Sequence, residues 1–132
     1  SFIDSVDETG YGQLPGIKQQ IHAPGPTHYT QIIPDNYCDN LKIIAHICHD
    51  NNVRFIAITP PATNTFLSYT TPEGFAQLDS IIENIRQYSH IEYHNYIADS
   101  MFRADSLYYD ASHLNHTGAS LFAERVKKDF CL

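Results

Sequence analysis

With 132 residues, 42 % apolar and 17 % charged, the chain has the length and composition of one globular domain. A formal net charge of −7, with eight Lys and Arg against fifteen Asp and Glu, and the absence of any basic run leave no electrostatic footprint for nucleic acid. No apolar run approaches the roughly 18 residues of a membrane span, so no membrane span is expected.

Residues 1–34 read as an irregular N-terminal segment, with Gly10, Gly12, Gly16 and Gly25 set among Pro15, Pro24, Pro26 and Pro34. A short strand fits there at most. The first residue is Ser1 and no signal peptide is legible, as expected of a processed or trimmed piece, so the compartment is not readable from a missing leader. From residue 35 to the C-terminus the pattern is that of an α/β domain. Tyr37, Leu41, Ile44, Ala45 and Cys48 recur at helical spacing and predict a helix over Asp35 to Asn51. Val53 to Thr59 is a β-rich run stopped by Pro60 and Pro61. Val53, Phe55 and Ala57 share one face, Ile56 and Ile58 the other, as in a strand buried inside a parallel sheet.

Thr71 and Pro72 open a second helix as cap and first residue, with Phe75, Leu78, Ile81, Ile82 and Ile85 as its apolar stripe. Ile91 to Ile97 reads as an edge strand, with Glu92, His94 and Tyr96 on its mixed face. A final helix is expected from His116 to Asp129. Asn115 would cap it, Ala119, Phe122, Ala123, Val126 and Phe130 would face the core, and Lys127 and Lys128 suit the negative end of the helix dipole. Alternating helices and strands predict a parallel sheet with helices on both faces. Two strands make a poor sheet, however. The strand over Val53 to Thr59 should be central, so its free edge is expected to be covered by residues 1–34 or to pair with a second copy in a homodimer.

In open parallel sheets the working site lies beyond the carboxyl ends of the strands. Two segments reach that rim: "TPPATN", Thr59 to Asn64, and the loop from Asp99 to His116. The second holds Asp110 and His113. An Asp three residues before a His on a turn can accept the imidazole Nδ1–H, fix the tautomer and leave Nε2 as a general base; a serine hydroxyl at Nε2 would then complete the apparatus of acyl transfer. The plainer reading of the same spacing is a local hydrogen bond in a solvated turn.

The continuation adds to it. "DASHLNHTGASLF" resembles the last block of the SGNH, or GDSL-like, hydrolases and acyltransferases: Asp-x-x-His, then Leu-Asn, then Gly-Ala opening the final helix. "VRFIAITPP" is similar to the preceding strand in bacterial members, including the D-alanyl transfer protein group. The resemblance covers roughly Asp35 to the C-terminus. It implies the C-terminal part of a three-layer α/β/α, flavodoxin-like fold, with Asp110 as triad acid, His113 as base, Leu114 packed under the loop, Asn115 as cap and Gly118 allowing close approach of the helix. The family's nucleophile sits in a Gly-Asp-Ser block after its first strand, and no such block occurs here. "ADS" occurs at Ala98 to Ser100 and Ala104 to Ser106, but on the wrong side of the fold; Ser112 lies inside the loop itself.

The resemblance therefore implies a serine esterase or O-acyltransferase acting on oxygen esters of an acylated small molecule or cell-envelope carbohydrate. Its serine would lie upstream, so this chain alone would be inactive. The parent would be extracytoplasmic or associated with the cell envelope, and would need no cofactor and no metal. Pro60, Pro61 and Asn64 fall, by position, on the acceptor side of the pocket. A non-catalytic interaction module with a degenerate fold of the same kind is the alternative.

Other polar residues point to less. His46 and His49, His90 and His94, and His113 and His116 form pairs without the three or four convergent ligands a zinc site wants. Tyr108 and Tyr109 could stack on a sugar or pack in the core. Cys38, Cys48 and Cys131 read as small apolar fillers, the first two being roughly 15 Å apart on one helix.

Overall fold

The computed structural model describes residues 5–6, 12–13, 35–70, 72–87 and 89–132. In chain order it holds strands β1 (Ser5–Val6) and β2 (Gly12–Gln13), helix α1 (Asp35–Asp50), strand β3 (Ile56–Thr59), helices α2 (Asn64–Tyr69) and α3 (Pro72–Arg86), and strand β4 (Glu92–Asn95). Two 3-10 turns (Ser100–Phe102 and Asp105–Leu107) and helix α4 (His116–Phe130) complete it. β1 and β2 pair antiparallel; apart from them, the reading of residues 1–34, including their covering of a strand edge, lies outside the described residues, as do the capping role of Thr71 and the side chains of Tyr37 and Phe75. The chain is mixed helix and strand with a small parallel sheet, and it divides into two compact units.

One unit comprises α1, β3, α3 and β4. β3 and β4 run parallel in the register Ile56↔Glu92, Ala57↔Tyr93, Ile58↔His94 and Thr59↔Asn95, and Phe55 extends the ladder by accepting from Glu92 N–H at 3.1 Å. Paired residues in a parallel ladder share a face. Phe55 and Ala57 accordingly join Ile91 in a cluster with Ala45, Leu41 and Cys38 of α1 and Ile81 and Ile85 of α3. Each buried isoleucine contributes about 1.5–3 kcal/mol there. On the same face Thr59 Oγ1 and Tyr93 OH hydrogen-bond at 2.9 Å. α1 ends at Asp50; two residues on, Asn52, with φ of 56°, turns the chain left-handed, a conformation Asn tolerates better than most residues, and Val53 N–H closes the end on Cys48 O at 2.7 Å.

Four expectations need correction in this unit. Ile44, expected in the core, is 45 % exposed beside exposed Ile43 and Ile47. The residues turned inward are Leu41, Ala45 and Cys48, and each residue turns the helix by about 100°, which carries Ile44 out of that stripe. Val53 is exposed and outside the strand, which begins at Ile56, and the second strand spans Glu92–Asn95 rather than 91–97. Tyr96, expected on a mixed face, has no exposed surface at all. Among the described residues β3 pairs with β4 and no other strand, and Ile58 is 40 % exposed.

β1, β2, the 3-10 turns, α4 and nearly all of α2 belong to the other unit. Phe102, fully buried on the first 3-10 turn, meets Phe122 of α4 edge-on with ring centroids 5.5 Å apart. Asp99 caps that turn through Met101 N–H at 2.9 Å and lies 3.8 Å from Arg125 of α4, which also bonds Asp129 at 2.8 Å. Asn115 caps α4 by accepting from Gly118 N–H at 3.0 Å. At the far end Cys131, at φ 55°, donates its N–H to Lys127 O. Phe130 is buried, but Ala123, expected inward, is exposed. α2 is a single short helix that begins immediately after Thr63, within the segment read from sequence as a rim loop.

Candidate active site

The loops that follow β3 and β4 in the chain are stitched together within one unit. Ala62 N–H donates to Ile97 O at 3.4 Å, and Thr63 donates twice to Ala111 O, from its N–H at 3.2 Å and from Oγ1 at 2.7 Å. Thr63 Oγ1 also accepts from Phe66 N–H at 3.1 Å, which caps α2. A side chain with no exposed surface thus ties the start of α2 to the middle residue of the "DASH" turn. Sequence reasoning missed Thr63. The available signal was a capping residue type directly before "NTFLSY", obscured because a helix of six residues has too little apolar periodicity to register.

The turn is built on a short antiparallel bridge between Tyr108 and Leu114. Tyr109 N–H donates to His113 O at 2.8 Å and Asn115 N–H to Leu107 O at 2.9 Å. Asn115 Nδ2 reaches Ser106 O at 2.8 Å and Tyr108 O at 3.3 Å, so one asparagine caps α4 and closes the loop. Tyr108 is buried and donates its hydroxyl to Phe102 O at 2.9 Å. Burial pushes its phenol up to about 12, against the pull of the Arg103 charge.

Asp110 Oδ1 accepts from Ser112 N–H at 2.9 Å and from His113 N–H at 2.8 Å, fixing the turn. The His113 ring then comes over the carboxylate, with Nδ1 2.9 Å from Oδ1 and 2.8 Å from Oδ2. An ionised carboxylate only accepts, so Nδ1 carries the proton and the lone pair is on Nε2. Partial burial pushes the Asp110 carboxyl up, but the Ser112 N–H, the imidazole and the His113 N–H together outweigh it and hold it below the ordinary value. Among the described residues no hydrogen bond reaches Nε2, and the His113 side chain is 66 % exposed. The geometry holds an exposed imidazole as a proton acceptor.

No serine occupies that space among the described residues. Ser112 Oγ lies 3.4 Å from Nδ1, the wrong nitrogen for activation, while Ser100 and Ser106 are exposed on the 3-10 turns. Asn64 is exposed and its Oδ1 accepts from Arg103 Nη1 at 2.8 Å. Pro61 is fully buried, so in this conformation it offers substrate no surface; Pro60 is exposed but belongs to the other unit. No group of three His, Cys, Asp or Glu capable of holding a metal occurs among the described residues, and no helix among them is long and apolar enough to cross a membrane.

Thr63→Val keeps the shape of the side chain but leaves Phe66 N–H without its cap and removes one of two bonds to Ala111 O. It should destabilise the protein by about 1–2 kcal/mol, read as a lower denaturant midpoint at unchanged slope.

Comparison with family models, curated proteins and solved structures finds no match.

Proposed function

We propose that this chain is the C-terminal part of an SGNH-type serine esterase or O-acyltransferase of three-layer, flavodoxin-like architecture. The observation that carries the reading is the Asp110 carboxylate receiving His113 Nδ1–H at 2.8 and 2.9 Å with Nε2 open. In this reading a serine outside the described residues attacks the acyl carbon. His113 Nε2 takes the serine proton and returns it to the leaving alcohol, and Asp110 holds the ring and stabilises the imidazolium. The substrate is an oxygen ester of a small molecule or cell-envelope carbohydrate, and the resemblance of the "DASHLN" block supports that class. Among the described residues β3 pairs with β4 and no other strand, which accords with further strands being supplied from elsewhere.

Fluorophosphonate labelling read by intact mass tests the proposal. It is run on this chain, on the protein expressed from the start of its own reading frame, and on that protein with His113→Ala. Labelling of the second alone is the expected result. Labelling of this chain by itself would return the nucleophile to Ser100, Ser106 or Ser112. The lack of a hydrogen-bond partner for Nε2 among the described residues favours one other reading, a binding module that retains the turn without chemistry; absence of labelling in all three proteins would favour that reading instead.

A further inference from the structure

All four arginines of the chain lie in described segments, and three of them face carboxylates: Arg54 pairs with Glu92, Arg86 with Glu83, and Arg125 with Asp129 and Asp99. Arg103 does not. Its guanidinium is held by two neutral acceptors, Asn64 Oδ1 from Nη1 at 2.8 Å and Ala98 O from Nη2 at 2.6 Å. No Asp or Glu comes within ion-pairing distance among the described residues. Two of its five N–H donors are used, leaving three in the planar fork that matches a carboxylate or phosphate.

The holding groups matter as much as the missing partner. Asn64 and Ala98 come from the two stitched loops, so the guanidinium bridges the same pair of segments that Thr63 joins to Ala111. Asn64 directly follows Thr63, so Arg103 and the Asp110–His113 turn are tied to consecutive residues of one segment. A half-buried arginine pinned through neutral groups keeps its full charge at low entropic cost to a ligand. In a chain of net charge −7, it is a cation with no carboxylate partner among the described residues.

We propose that Arg103 is an anion-recognition site beside the Asp110–His113 pair. It would bind a carboxylate or phosphate carried by the substrate, so that the acylated molecule is anionic at a position remote from the ester. This rests on the proposed function for the identity of the ligand as a substrate, but the anion site can be measured without any turnover.

The test is a titration of the 15N-labelled full chain with succinate and, separately, with inorganic phosphate at low ionic strength. It is repeated on Arg103→Gln, Arg103→Lys and Lys128→Gln. Shifts centred on the Arg103 side chain, Ala98 and Asn64 are expected, with affinity at least tenfold weaker in Arg103→Gln, intermediate in Arg103→Lys, and unchanged in Lys128→Gln. The tighter of the two probes identifies the anion as carboxylate or phosphate. Equal binding by wild type and Arg103→Gln, shifts centred on Lys127 and Lys128, or no shift at the Arg103 side chain would each overturn the proposal. If Arg103→Gln fails to fold, Arg103→Lys keeps the charge and still reads the loss of the fork. A failure here leaves the labelling result standing, and a failure of labelling leaves anion binding readable.

Discussion

On the proposed function, Asp110→Asn should fold and yet lose about 10⁴-fold in acyl-transfer rate, the size expected when a histidine base is held in the wrong tautomer. The asparagine carbonyl can still accept from Ser112 and His113 N–H, so the turn survives. Its amide group, however, takes the Oδ2 position 2.8 Å from His113 Nδ1, and the donor–donor contact that Nδ1–H would make there favours Nδ1 as the acceptor. The ring proton moves to Nε2, and the nitrogen that would take the serine proton in the proposed mechanism is already occupied. A ¹⁵N spectrum of the imidazole reports this switch directly in the present chain, without turnover. A ring that kept Nδ1–H in Asp110→Asn would show that the carboxylate does not set the tautomer.

The same substitution carries a pH signature. The folded Asp110 carboxyl lies below its ordinary value of 3.8, so its stabilisation is complete above that value and is lost as pH falls through the lower folded one. Asn has no such dependence. The difference in melting temperature between wild type and Asp110→Asn should therefore be constant from neutrality to about pH 4 and shrink below it. With the Asp110 side chain 38 % exposed, solvent screening keeps the difference small. A difference that persisted undiminished to about pH 2 would place its origin in packing rather than charge.

Gly118→Ala is the second large effect, on stability. In an ordinary helix the change would stabilise by about 1 kcal/mol. Here a Cβ would overlap the Leu107 carbonyl oxygen and lie 2.9 Å from Leu114 Cδ2 and 3.0 Å from the Leu107 carbonyl carbon. The obstacle is backbone, and that same Leu107 oxygen receives Asn115 N–H at 2.9 Å. Relief therefore requires α4 to lift off the bridge that shapes the Asp110–His113 turn. The overpacking cost, about 3 kcal/mol or more, exceeds the helix-propensity gain, and the expected net is a loss of roughly 2–3 kcal/mol in denaturant unfolding. Because the cap at Asn115 and the turn share this contact, His113 resonances should shift too. A neutral or stabilising outcome would mean that α4 does not approach the loop this closely.

How far the chain could be read before folding depended on the range of each signal. α1, α3 and α4 were legible because apolar residues at helical spacing, Pro72 at the first position of α3 and Asn115 before α4 are local and redundant. The parallel pairing followed from alternation of helix and strand, and the contact between Asp110 and His113 from a spacing of three on a turn. The strand limits, the exposure of Ile44, Ile58 and Ala123 and the short α2 were not legible, since each depends on which neighbour arrives or fails to arrive.

Local chemistry along the chain accounts for the elements and for the Asp110–His113 pair, because each of those interactions closes over a few residues. Thr63 reaches Ala111 across 48 positions, and Arg103 reaches Asn64 across 39. Loop closure over such separations leaves no local pattern, so the tether of the turn and the anchoring of the Arg103 guanidinium emerge when the two loops after β3 and β4 meet.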